Sequence, residues 1–247
     1  MFELSIMEWA IVILCAIFIG FSKSGLPNMI ILVVTALTFV FPAKESVGIL
    51  LPMLLVGDIF AVTYYRRNVV WKHLITLIPW VLIGIISGYF VLSQVSSGQL
   101  TPLIGIIVLT MIVLQLTRQK FGERFNQLLP TSLWFVALMG ILGGFTTIVG
   151  NAAGAVMTIY LLVKGLSKEN FVGTAAWFFL SVNLIKFPFY LQLGLINQAS
   201  LTFNLWMVPA IIAGVFIGIK ILPLIPKRVF GWLVLGLAAL GGINLLF

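Results

Sequence analysis

The chain has 247 residues, of which 62% are hydrophobic and only 8% charged. A soluble domain of that length needs far more polar surface, so the composition excludes one and requires an integral membrane protein. The formal net charge of +8 would suit nucleic acid, but the basic residues sort by alternate loops, as shown below, and nucleic acid is not an expected partner.

The apolar runs are continuous, whereas barrel strands alternate apolar and polar residues, so the expected class is all-α. The opening "MFELSIMEW" has Glu3 and Glu8 but no Lys or Arg, and a cleaved signal peptide is not expected. Apolar runs between polar breaks then predict ten segments, at about 7–21, 27–41, 46–65, 73–93 and 100–117, followed by 132–148, 151–163, 170–190, 200–221 and 229–247. A polar connection at 118–131 divides a first membrane repeat (1–117) from a second (132–247). If the segments alternate across the bilayer, one side receives all of the 14 basic residues except Lys44 and Lys186. The positive-inside rule makes that side cytoplasmic, puts the 118–131 connection there and leaves both termini outside. The expected location is a cell membrane, inner or plasma, crossed many times.

The two halves resemble each other. "ESVGILLPMLLVGDIF" is followed 125 residues later by "NFVGTAAWFFLSVNLI", which sets Gly48 on Gly173 and Asp58 on Asn183. Further on, "PWVLIGIISG" matches "PAIIAGVFIG", so Pro79, Gly84 and Gly88 fall on Pro209, Gly214 and Gly218. Five segments per half is an odd number, so the second copy enters the membrane upside down. Loop charge agrees independently. "YYRRNVVWKH" is basic and its counterpart "LQLGLINQAS" uncharged, whereas "SQVSSGQ" is uncharged and its counterpart "PLIPKR" basic. The expected fold is therefore an inverted repeat of two five-segment halves.

Each half opens with a polar interruption, "GFSKSGLPNMII" and "GGFTTIVGNAAG", in which Gly25 falls on Gly150. The segments that follow have about 15 and 13 residues, roughly 20–22 Å at the helical rise, too short for a hydrocarbon core of about 30 Å. Short broken or re-entrant helices at the start of each half are the transporter signature, with the substrate at the repeat interface. Pro27 suits a first helical position and Asn151 an N-cap. Two helix amino ends facing each other near the midplane would hold an anion. The candidate binding residues are Ser22, Lys23, Ser24, Gly25 and Asn28 from the first break, with Thr146, Thr147, Gly150 and Asn151 from the second. The alternative is that both breaks are plain interhelical turns that allow close packing, with Lys23 solvated at the cytoplasmic face.

Asp58 is the one acid deep inside a segment, about 3 Å past its centre by helical rise, with Asn183 at similar depth. It is expected to be paired, hydrated or protonated, as a coupling group for a proton or as a structural hydrogen-bonder. Lys186 lies nearer a segment end and is expected to snorkel. Its depth differs from that of Asp58 by roughly 11 Å, so a direct ion pair is not expected. Cys15 and His73 are the only residues of their kinds. No disulfide, metal site, cofactor or catalytic constellation is expected, and the chain is not expected to be an enzyme.

With "GFSKSGLP", "LPMLLVGDIFAVTYYRRNVVWKHL", "GGFTTIVGNAAG", "KENFVGTAAWFFLSVNLIKFPFYLQLGLI" and the two Pro-x4-Gly-x3-Gly segments in view, the chain resembles the TauE/SafE family of sulfite-exporter-like membrane proteins over nearly its whole length. The resemblance implies a permease for small sulfur-containing anions such as sulfite or an organosulfonate. With no P-loop in the chain, transport would draw on a proton or sodium gradient or on the substrate's own. A carrier of a non-sulfur anion and a non-transporting helper subunit of a membrane complex are the competing readings, and a homo-oligomer is open.

Overall fold

The computed structural model describes residues 4–23, 29–128, 132–221 and 227–246. Among them the chain is all-α, with no strands. In chain order the helices are α1 (Ile6–Ser22), α2 (Ile30–Leu37), α3 (Ala43–Tyr65), α4 (Trp71–Gln94), α5 (Ser97–Leu128), α6 (Leu133–Gly150), α7 (Gly154–Val163), α8 (Lys168–Gln192), α9 (Gln198–Ile221) and α10 (Lys227–Asn244). Six of them, α3, α4, α5 as far as Thr117, α6, α8 and α9, are long and apolar enough to cross a membrane.

Local chemistry accounts for several ends. Ser5 caps α1 in a capping box, accepting from the Glu8 N–H while the Glu8 carboxylate accepts from the Ser5 N–H. Ser167 caps α8 by accepting from the N–H of Asn170. The two short helices are shorter than expected, 8 residues in α2 and 10 in α7. At the helical rise they extend about 12 and 15 Å, half a hydrocarbon core or less. The polar stretch after Thr117 is not a plain loop. Helix α5 runs on to Leu128, broken at Gly122, whose φ of 55° and ψ of −133° leave the helical region.

Helix α3 packs on α8, α4 on α6, α1 on α9, α5 on α7, and α10 on α2. Exchanging α1–α5 with α6–α10 maps this set of contacts onto itself, with α3 and α8 trading places across one shared interface. Direction can be read from the contacts. Going up α3, Gly48 meets the Leu195 carbonyl, Asp58 meets Asn183, and the Asn68 carbonyl beyond the helix meets Gly173. Helices α3 and α8 are therefore antiparallel. By contrast α4 and α6 run the same way, with Gly140 against Leu77 and Val81, and Gly144 against Val81 and Ile85.

The sequence-matched glycines occupy matched contacts. A Cβ on Gly84 would run into the carbonyl oxygen of Ile141 on α6, and one on Gly214 into that of Ile17 on α1. Lipid gives helices no hydrophobic reason to associate, so such backbone-to-backbone approaches are where dispersion holds the bundle together. Outward, Ile6, Ile75, Leu205, Trp206 and Leu240 are more than 60% exposed, the surface of a protein solvated by lipid.

Candidate functional site

Helix α1 stops short at Lys23, its C-cap, whose N–H donates to the carbonyls of Gly20 and Phe21. The lysine side chain does not leave for solvent. It crosses to α3 and donates from Nζ to Asp58 Oδ1 at 2.6 Å, with the two side chains 9% and 0% exposed. Gly57 makes room for it, since a Cβ there would press on the lysine Cγ and Cε at 3.1 and 3.2 Å. Phe179 on α8 lies below the ammonium, 5.4 Å from Nζ to the ring centroid, an added cation–π attraction. The other Asp58 oxygen, Oδ2, accepts from Asn183 Nδ2 at 2.6 Å. The two residues matched by the repeat thus touch each other where α3 crosses α8. Of the states expected for Asp58, the structure shows the paired one. Of the two expected for Lys23, it shows the inward one.

The second break is built differently from the expectation. Asn151 is not the N-cap of α7 but the C-cap of α6, in the left-handed region at φ 52° and ψ 27°. Asparagine tolerates that conformation better than other residues with a Cβ. Ala153 is the N-cap of α7 and makes no side-chain cap bond. The Asn151 side chain is committed elsewhere: Oδ1 accepts from Lys186 Nζ at 2.6 Å, and Nδ2 points at the Val47 carbonyl at 3.4 Å.

Lys186 also departs from its expectation. It is 0% exposed and does not snorkel. Its ammonium donates to the carbonyl and hydroxyl of Thr147, both at 3.1 Å, as well as to Asn151. The last turn of α6 offers the carbonyls and the negative dipole end that a buried cation needs. Among the described residues the ion pair to Asp58 comes from Lys23. Tyr190, one turn further along α8, donates to the Ile148 carbonyl at 2.6 Å and secures the same break.

Between these groups lies a cavity of about 590 Å³, part of it open to solvent. Ser22, Lys23, Asp58, Thr147, Asn151 and Asn183 supply its polar wall. The first residue of each short helix, Ile30 in α2 and Gly154 in α7, also lines it, so two amino ends without side-chain caps meet at one space. The cavity runs along α3 from Leu54 to Ala61 and along α8 from Asn183 to Phe171, toward the end that carries Arg66, Arg67 and Lys164. In the other direction the counterparts of the α8 wall, Val47, Leu50 and Leu51, are at most 1% exposed and close the bundle.

Not every expected residue takes part. Thr146 turns back to the Leu142 carbonyl at 2.7 Å, and Gly150 packs near Ile104. The Ser22 hydroxyl lines the cavity but donates to Ile19 O at 2.7 Å. Ser24, Gly25, Pro27 and Asn28 lie outside the described residues. The α8 wall of Phe171, Ala175, Ala176 and Phe179 was missed. The small pair in "GTAAWFF" was its one legible sign, because paired alanines let a wall stand back from an opposing helix.

A multi-pass helical membrane protein with short broken helices around a buried ionic site is the class that fold and site define. The family model described as sulfite exporter TauE/SafE matches residues 12–245, and the chain belongs to that family. Membership points to movement of a small anion across the membrane. No curated protein and no solved structure matches the chain significantly.

Proposed function

We propose that the chain is a secondary transporter of a small anion, sulfur-containing in the manner of sulfite or an organosulfonate, that moves its substrate without chemical change. The observation that carries this reading is the charge of the buried site. Two lysines, Lys23 bonded to Asp58 and Lys186 bonded to Thr147 and Asn151, stand against a single buried carboxylate among the described residues. The excess positive charge sits beside two helix amino ends, which favour negative charge as well. Buried charges are retained where they find a counter-charge, and a substrate anion supplies it.

The proposed architecture is the inverted repeat of two five-segment halves. Its support is the antiparallel pairing of the matched helices α3 and α8, with Asp58 bonded to Asn183 on the axis. With the basic loops cytoplasmic, a cavity directed toward Arg66 and Arg67 is the inward-facing state, and exchange of the two halves' conformations would open the other end. For topology, Gln94→Cys and Gln192→Cys, each exposed at the end of α4 and α8, should both react with an impermeant thiol reagent outside cells in a Cys15→Ser background. Protection of either one removes the proposed orientation.

For the site, flux into proteoliposomes should be seen for at least one of sulfite, sulfonate, sulfate or carboxylate under an imposed proton or sodium gradient. Asn151→Ala should then weaken substrate affinity about tenfold or more, because it strips the Lys186 ammonium of its shortest acceptor and removes an amide from the wall. Unaltered affinity would take the second break out of the site. No flux for any anion, with another membrane protein retained through purification, would point to a helper subunit instead.

A further inference from the structure

We propose that the site is matched in charge to a singly charged oxyanion, and that Asp58 is the residue that rejects doubly charged ones. This rests on the anion-transport reading above and narrows its substrate class. Three ionisable groups make up the described charge at the centre. Lys23 and Asp58 line the cavity, and Lys186 stands directly behind Asn151 and Thr147 in the wall. Their formal charges leave one positive charge uncompensated. Residues 24–28, which lie outside the described residues, read Ser-Gly-Leu-Pro-Asn and add no ionisable side chain. Other charges on the two central helices are at their ends, as with Lys44, Glu45 and Glu169 near the starts of α3 and α8.

A monoanion brings this centre to neutrality. A dianion overshoots it and leaves a net negative charge in a space walled by apolar helices, where screening is weak. The surplus charge would also face a carboxylate that cannot withdraw. Asp58 is 0% exposed, its Oδ1 is held by Lys23 and its Oδ2 by Asn183. Discrimination between ligands is sharpest where the wrong one meets a fixed like charge. Asp58 fills that role, while its bond to Lys23 fixes the ammonium at the cavity wall. The residue that the sequence match sets on it, Asn183, has the same shape without the charge, which makes Asp58→Asn the conservative way to remove the charge alone.

The test uses the full-length protein in detergent at fixed ionic strength, at a pH where both probes are fully ionised. Methanesulfonate and sulfate are tetrahedral and of similar size, and they differ by one charge. Calorimetry should show the wild type binding methanesulfonate at least tenfold more tightly than sulfate, since like-charge juxtaposition in a desolvated site is costly by about that much or more. Asp58→Asn, with one positive charge more, should shift the ratio toward sulfate by about tenfold or more. Lys186→Met, with one fewer, should weaken both anions and sulfate the more. Equal wild-type affinity for the two probes overturns the inference, and so does a ratio unmoved in a monodisperse Asp58→Asn protein. If neither probe binds the wild type but another anion does, the charge rule is tested on that anion and a doubly charged analogue of it, with the same two overturning results. Binding of no anion at all removes the transport reading as well. The wild-type comparison needs no variant and stands even if a substitution impairs folding.

Discussion

Lys23→Met is expected to abolish anion-dependent stabilisation and to lower the melting temperature of the unliganded protein. The two effects have separate causes. Asp58 is completely buried and has two partners, the Lys23 ammonium and the Asn183 amide. Taking away the ammonium strands a carboxylate in the bundle, and breaking a buried pair from one side costs about 3–5 kcal/mol. The double variant Lys23→Met/Asp58→Asn removes both charges and should recover most of that loss, because an amide opposite Asn183 still has a hydrogen-bonding partner. It should not recover ligand binding, since the cation on the cavity wall is gone. Thermal melts of the three proteins, with and without a bound anion, separate the two effects. Wild-type melting of the single variant would mean that Asp58 does not depend on Lys23. Full ligand-induced stabilisation in the double variant would mean that the anion does not need the Lys23 ammonium.

The second large effect is expected from side chains placed on two glycines. Gly84→Val and Gly214→Val should each reduce the yield of folded protein sharply and by similar amounts. In both places the first added carbon, Cβ, meets a main-chain carbonyl of the neighbouring helix, Ile141 for one and Ile17 for the other. A backbone atom cannot swing aside as a side-chain tip does, so the helix pair must separate along the contact. Overpacking of this kind costs about 1–3 kcal/mol or more, and lipid offers no compensating hydrophobic gain. Monodisperse yield and melting temperature of the two variants are the measurements. One tolerated and the other not would show that α4 on α6 and α9 on α1 are not equivalent interfaces, and the symmetry argument would fail with it.

Much of this molecule is written in one dimension. Hydropathy and breaks placed all ten helices within a few residues, except where polar composition concealed the continuation of α5 to Leu128 and where the two short helices proved shorter still. The repeat arithmetic put Asp58 on Asn183, and the two are hydrogen-bonded. It put Gly84 on Gly214, and they make matching contacts. Periodicity and spacing survive into the fold because membrane helices are straight, regular and limited in length by the bilayer.

What was not legible was direction. Lys23 at a helix end reads equally as a solvated cation and as a buried one. Its pairing is set by Asp58, 35 residues away on another helix, and by the space left at Gly57. Lys186 looked free to reach an interface, but the end of α6 supplies three acceptors within 3.1 Å of its ammonium. Asn151 looked like a cap for the helix that follows it and instead closes the helix before it. By itself the sequence determined that the chain is a helical membrane protein and where most of its helices lie, and it matched Asp58 to Asn183 and Gly84 to Gly214 before any contact was known. The tertiary structure alone decided which way each polar side chain turns and which apolar residues wall the cavity. Apolar burial is non-directional and leaves its mark in composition, whereas a hydrogen bond in a dry interior exists only once a particular partner has been brought within 3 Å or so of it.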